Sequence, residues 1–171
     1  MVEQAPYTLV RMLDKVEVRR YPQLVMARVD NLDDRGFNVL FRYINGYNVK
    51  QIPIAMTAPV ISEQIAMTAP VVSGLNYMAF ILPQQYSIET APQPRDNLIK
   101  LVTTPPRLVA ALRFSGRWSE SNFTTRSQEL LKILQKAEIN TKGNVFSMRY
   151  DGPFTLWFLR RNEAAIEIEA E

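Results

Sequence analysis

The 171-residue sequence contains no histidine and no cysteine. Without imidazole there is no Ser-His-Asp or Cys-His nucleophile, no imidazole metal ligand and no axial-histidine haem site. Without thiols there are no disulfides, zinc ribbons, iron–sulfur clusters or thiolate catalysis. These two gaps remove most of the common enzyme classes. Long hydrophobic runs are missing too, since none approaches the ~18–20 residues of a membrane span. Met1-Val2-Glu3-Gln4-Ala5-Pro6 lacks the basic and apolar regions of a signal peptide. The expectation is a soluble, cytoplasmic protein with no membrane span.

An excess of one charge is equally absent: Lys+Arg number 20 and Asp+Glu 17, a net +3. Basic residues do cluster at Arg95, Lys100, Arg107, Arg113 and Arg117, with Asp96 alone against them. Glu163, Glu167, Glu169 and Glu171 gather in the tail. Such segregation suits neighbouring strands with complementary faces better than a phosphate-binding stripe, so no nucleic-acid partner is expected. An enzyme working through carboxylates would draw on Glu120, Glu129, Glu138 or Glu163. No spacing pairs two of them as general acid–base chemistry requires, and no catalytic residue is assigned.

What is present is ordinary core-forming material, 47% hydrophobic and 22% charged. At this length a core needs no metal or disulfide staple. Phe37, Leu40, Phe41 and Ile44 recur at helical spacing after Asp33-Asp34 and stop at Asn45-Gly46, predicting a helix near 34–46. Phe123, Leu130, Leu131, Leu134 and Ala137 predict a second, starting near Ser121-Asn122, over 121–138, with Lys142-Gly143-Asn144 as a turn after it. The remainder reads as strands: Val16 to Val29 with a bend at Tyr21-Pro22, Tyr77 to Leu82, Val145 to Tyr150, Leu156-Trp157-Phe158-Leu159, and the alternation around Ile166 and Ile168.

The two halves resemble each other at an offset of 84, which sets Pro22, Leu24, Val25 and Ala27 over Pro106, Leu108, Val109 and Ala111. The half-repeats run from about 7 to 82 and from 97 to 169, joined by a proline-rich connection at 83–96 within one domain spanning 1–171. The fold class that follows is α+β: a pseudo-twofold duplicated unit with two helices packed on an antiparallel sheet.

A shorter repeat lies inside the first half. Ile54-Ala55-Met56-Thr57-Ala58-Pro59-Val60-Ile61-Ser62 recurs as Ile65-Ala66-Met67-Thr68-Ala69-Pro70-Val71-Val72-Ser73. So short a connector as Glu63-Gln64 predicts that 54–62 and 65–73 pair antiparallel, each proline at an edge or bulge. The methionines and threonines then serve as packing and turn residues, or as a soft, adaptable wall beside a groove.

These repeats, the run Phe41-Arg42-Tyr43-Ile44-Asn45-Gly46-Tyr47-Asn48, the strand Tyr77 to Pro83, the strand Val109 to Gly116, Arg149-Tyr150-Asp151-Gly152-Pro153 and Phe158 to Glu163 resemble the SOUL/haem-binding protein family, in order, over about 7–169. The resemblance implies that this sheet is twisted and barrel-like, with the two α-helices packed on it, a fold similar to bacterial effector-binding domains. It also implies haem or another tetrapyrrole as a reversibly held, non-covalent cofactor in an apolar surface groove, with no other metal. By matching positions the groove residues are Phe37, Phe41 and Arg42, with Phe154 and Trp157 on the loop near the C-terminal strands.

The residues themselves leave alternatives open. Phe37 and Phe41 share a stripe with core positions, and Arg42 suits a solvated helix face. Phe154 and Trp157 suit an exposed loop or a strand core. Arg160-Arg161-Asn162-Glu163 reads as a hydrogen-bonded network. With no histidine, iron would have only Tyr43, Tyr47, Met56 or Met67 to turn to, so binding through apolar contact and propionate charge is expected. A different hydrophobic small molecule, or a protein partner, would use the same groove.

Overall fold

The computed structural model describes residues 3–32, 35–63, 77–151 and 154–170. Contacts divide the chain into two compact units: residues 1–5 with 24–104, and residues 6–23 with 105–171.

In the first unit the ladder runs β5 (Thr57–Glu63), β6 (Tyr77–Ile81), β4 (Leu24–Asp30), β7 (Lys100–Thr104), all antiparallel. The short β1 (Glu3–Gln4) lies parallel to β5. Helix α1 (Arg35–Ile44) packs on β4 and β6. The period-two face Val25, Ala27 and Val29 meets Leu40, Tyr43 and Ile44 from the helix. Gly36 permits this contact, because a Cβ there would come within 3.0 Å of Val29 Cγ2.

The second unit repeats the plan with β2 (Thr8–Leu13), β3 (Val16–Tyr21), β8 (Arg107–Phe114), β10 (Asn162–Ile168) and β9 (Thr141–Arg149) in that order, antiparallel throughout. Helix α2 (Glu120–Lys136) lies on β8 and β10, burying Leu130 and Leu134 against Val18, Leu112 and Ile166. The basic and acidic stretches of the sequence meet here: β8 and β10 are neighbours, with Arg107 and Glu167 3.6 Å apart.

At the offset of 84 the elements correspond in order: β3 to β7, β4 to β8, α1 to α2, β5 to β9. The first strand of each half-repeat pairs with the other half, however. Val16 faces Leu112 on β8, and Leu24 faces Thr104 on β7. The strands do not close into a barrel: among the described residues β2 and β7 stand at the two ends of the strand order.

Several local expectations change. Helix α2 begins earlier than Ser121, because Ser119 is its cap and accepts the Asn122 N–H at 3.1 Å. Lys142-Gly143-Asn144 lies inside β9, not in a turn. Gly143 (φ +70°) occupies the register shift opposite Ala165–Glu167, a bulge that needs the positive φ. Leu156–Leu159 is not a closing strand: Trp157–Leu159 forms one 3₁₀ turn with every side chain exposed. Pro59 falls in the register shift between Thr57 and Val60, the bulge its missing N–H favours. β5 pairs with β6. The second copy of the repeat, 65–73, lies outside the described residues, as do Asp33 and Asp34.

Candidate functional site

Helix α1 positions the first group of expected residues. Its buried line is Gly36, Leu40, Tyr43 and Ile44, which rotates Phe37 and Phe41 to the rim. Phe37 is 36% and Phe41 47% exposed. Their rings stack nearly parallel, 16° apart in tilt and 5.7 Å between centroids. Phe37 also sets its ring against the Phe80 edge, 5.4 Å away, so the pair is anchored on one side and open on the other. The reading of these two phenylalanines as core therefore fails. Arg42, one residue on, holds its guanidinium 4.4 Å over the half-exposed Tyr47 ring, a cation–π contact that keeps the charge beside the aromatic pair.

The loop after α1 is held by a residue that the composition did not single out. Asn48 is fully buried; its Nδ2 donates to the Tyr43 carbonyl (3.1 Å) and the Ile52 carbonyl (2.8 Å), and its Oδ1 accepts the Ile52 N–H. Its side chain acts as a plug that fixes Tyr47 relative to the helix. The only signal was its place at the end of the Phe41–Asn48 run.

Of the oxygen and sulfur ligands considered for iron, Tyr43 is removed from any surface site. It is wholly buried, its hydroxyl donates to the Pro92 carbonyl at 2.6 Å, and burial pushes its pKa up to about 12. Met56 is half-buried against the first unit's core. Met67 lies outside the described residues. Tyr47 keeps an exposed face. Among the described residues no cluster of three or more acidic side chains is placed to hold a metal ion.

Phe154 and Trp157 belong to the second unit. Both stand on the loop before β10, Phe154 99% and Trp157 48% exposed. With Arg117, Trp118, Thr155, Leu156 and Arg160 they line an open cavity of about 440 Å³. Arg117 sits 5.5 Å from the Trp157 ring and Arg149 3.9 Å from the Trp118 ring.

The expected Arg160–Glu163 network takes a definite form around Glu163, which has no solvent exposure. It accepts from Arg19, Arg161 and the Tyr150 hydroxyl. Burial alone would raise its pKa, but the bonds and charges from Arg19 and Arg161 reverse this and hold the carboxyl below its ordinary value. Lys15 and Arg126 likewise lower Glu129. Both acids are thus kept ionised, the opposite of what a proton donor near neutrality needs.

A family model described as SOUL heme-binding protein matches residues 2–167. The chain belongs to the SOUL heme-binding family. No curated protein matches it in sequence. Solved structures share the fold of this SOUL chain at low identity. The EcmrR C-terminal domain aligns with a TM-score of 0.66 and 9% identity, covering 94% of this chain and all of that one. A hydrolase from Listeria innocua aligns at 0.65 and 11%, covering 91% and 92%. SAV2435 bound to tetraphenylphosphonium aligns at 0.51 and 10%, covering 91% and 94%. These likenesses agree with the α+β, effector-domain-like architecture that the family resemblance implied. Among the described residues of the SOUL chain no helix is long and apolar enough to cross a membrane.

Proposed function

We propose that this SOUL-family protein binds haem or a related tetrapyrrole reversibly on the outer face of α1, as a carrier or buffer rather than an enzyme. The observation that carries this reading is the half-exposed, parallel Phe37–Phe41 pair with the Arg42–Tyr47 contact beside it. A flat apolar ring with acidic edge groups needs an aromatic surface to cover and a cation at its margin, and these four side chains offer both. Covering the open half of Phe41 alone contributes on the order of 1 kcal/mol. With no histidine in the chain and Tyr43 committed to Pro92, the residues fit the ring better than they fit its iron. When bound, haem would supply a metal centre; the protein's part is to shield one face and neutralise a propionate. Phe154 and Trp157 remain proposed apolar contacts within their own unit, each tested by its own alanine variant.

The test is a titration with haemin beside metal-free protoporphyrin, following the Soret band and tryptophan quenching. Affinities for the two should agree within about tenfold, about 1.4 kcal/mol, and Phe41→Ala should weaken both. A strong preference for haemin that Tyr47→Phe abolishes would establish iron ligation. If neither ring binds saturably, the second reading takes over: another hydrophobic small molecule, as tetraphenylphosphonium is for SAV2435. The two differ in charge, since Arg42 favours an acidic ligand and disfavours a lipophilic cation.

A further inference from the structure

We propose that the Phe154–Leu159 loop is an interfacial anchor that inserts shallowly into the headgroup region of an anionic lipid bilayer. The inference stands apart from ring binding at α1. Five of the six side chains from Phe154 to Leu159 are large and apolar, and all five are exposed, from 48% at Trp157 to 99% at Phe154. A run of this kind is unusual on a protein surface and marks a place where something covers it. The neighbouring cavity accounts for only part of it. Phe154, Leu156 and Trp157 line that cavity, whereas Phe158 (52% exposed) and Leu159 (63%) do not. A small molecule seated there would leave those two in water.

The geometry favours a fluid surface over a protein groove. Trp157, Phe158 and Leu159 occupy one 3₁₀ turn, whose about three residues per turn spread the side-chain origins around the tip, and the Trp157 and Phe158 rings meet edge to face with centroids 5.5 Å apart. A groove or flat protein patch would engage one side of this tip. A bilayer interface surrounds it. Tryptophan and phenylalanine with leucine are the side chains that gain most at the boundary between headgroups and acyl chains.

Charge placement supplies the complement. Arg117 lies against the Trp157 ring, and Arg160 is tied to the base of the loop by its Nε bond to the Thr155 carbonyl, 2.9 Å. A cationic collar below an apolar tip matches lipid phosphates and serine headgroups lying above acyl chains. The acidic neighbour Asp151 is already engaged, accepting the Arg161 N–H at 2.5 Å.

Co-sedimentation of the full chain with vesicles tests this, using about seven parts phosphatidylcholine to three of phosphatidylserine against phosphatidylcholine alone. The protein should sediment with the anionic vesicles at low salt and release at high salt. Phe158→Asp and Leu159→Asp, at exposed positions outside the cavity, should each lower the apparent affinity at least tenfold. Both should keep wild-type circular dichroism and wild-type porphyrin titrations. Phe41→Ala should leave sedimentation unchanged, so failure of the two proposals is distinguishable. Absence of binding to anionic vesicles, or folded aspartate variants that bind like wild type, would overturn the proposal. So would a concentration-dependent dimer that Phe158→Asp dissolves, since the loop would then be covered by a second copy.

Discussion

Arg19 and Glu163 meet as a two-pronged pair: Nη1 donates to Oε2 and Nη2 to Oε1, each at 2.7 Å, with both side chains out of contact with solvent. They come from β3 and β10, the two strands that flank β8. Arg161 adds a 2.9 Å bond to Oε1, the Tyr150 hydroxyl a 2.8 Å bond to Oε2, and the Tyr7 ring caps the Arg19 guanidinium at 4.3 Å. Every lone pair and proton that burial would otherwise strand has a partner, which is the condition under which a buried ion pair is tolerated.

Removing one partner should therefore cost more than a surface bridge would. Glu163→Gln leaves the buried Arg19 with only the partly exposed Glu17 carboxylate, 2.7 Å away, as counter-charge, and should destabilise the fold by about 3 kcal/mol at neutral pH, the low end of the range for breaking a buried pair. Because the folded pKa of Glu163 lies below its ordinary 4.5, the pair's contribution is complete above that value and is lost as pH falls through the lower folded pKa. Urea unfolding from pH 7 to pH 2 should show this decline in the wild type and a flatter profile in Glu163→Gln.

Tyr43 gives the opposite alkaline signature. Its folded pKa, about 12, exceeds the ordinary 10.0, so its contribution is complete below pH 10 and is lost as pH rises through 12. Tyr43→Phe should cost about 1–3 kcal/mol by leaving the Pro92 carbonyl without its donor. It should leave porphyrin affinity unchanged. Thermal melts and the porphyrin titration together check both halves of the expectation.

Arg42→Ala should weaken haemin and protoporphyrin by about 0.5–1.5 kcal/mol, the range of an ordinary hydrogen bond, because solvent exposure discounts the charge. The difference from wild type should shrink with added salt as the propionate contact is screened. Titrations at low and high ionic strength measure it. Equal loss at both would assign Arg42 to holding Tyr47 instead.

Ser119→Ala removes the oxygen that accepts the Asn122 N–H at the start of α2. A loss of about 1 kcal/mol is expected, and Ser119→Asp should restore most of it. Urea unfolding of the three proteins is sufficient.

Much of this architecture could be read from the chain. Both helices follow from their stripes, and the offset of 84 anticipates the correspondence of strands and helices in order. The stripe on α1 did not say which members are core, because Phe37, Leu40, Phe41 and Ile44 span more than the face the sheet covers. The sheet takes Leu40 and Ile44 together with Tyr43, and the phenylalanines turn out to the rim. Arg19 escaped notice for a related reason. Strict alternation puts Val16 and Val18 inward and Arg19 outward, but β3 is covered on both faces and Arg19 is buried too. Leu156–Leu159 had the length and composition of a strand without period-two alternation. Only tertiary context shows these side chains half or more exposed, or nearly so at Trp157.

The exchange of first strands has a consequence for how the chain comes into being. A polypeptide emerging from the ribosome makes β2 and β3 early, yet Val16 and Val18 have only β2 beside them until Ala110 and Leu112 are synthesised. The second compact unit therefore cannot close as its N-terminal segment appears, and the intervening residues must be spooled out first. Loop-closure entropy of that size slows the search and leaves an apolar edge waiting in the nascent chain. Growth from the N-terminus thus favours early assembly of residues 24–104, with β2 and β3 captured only once β8 has been made.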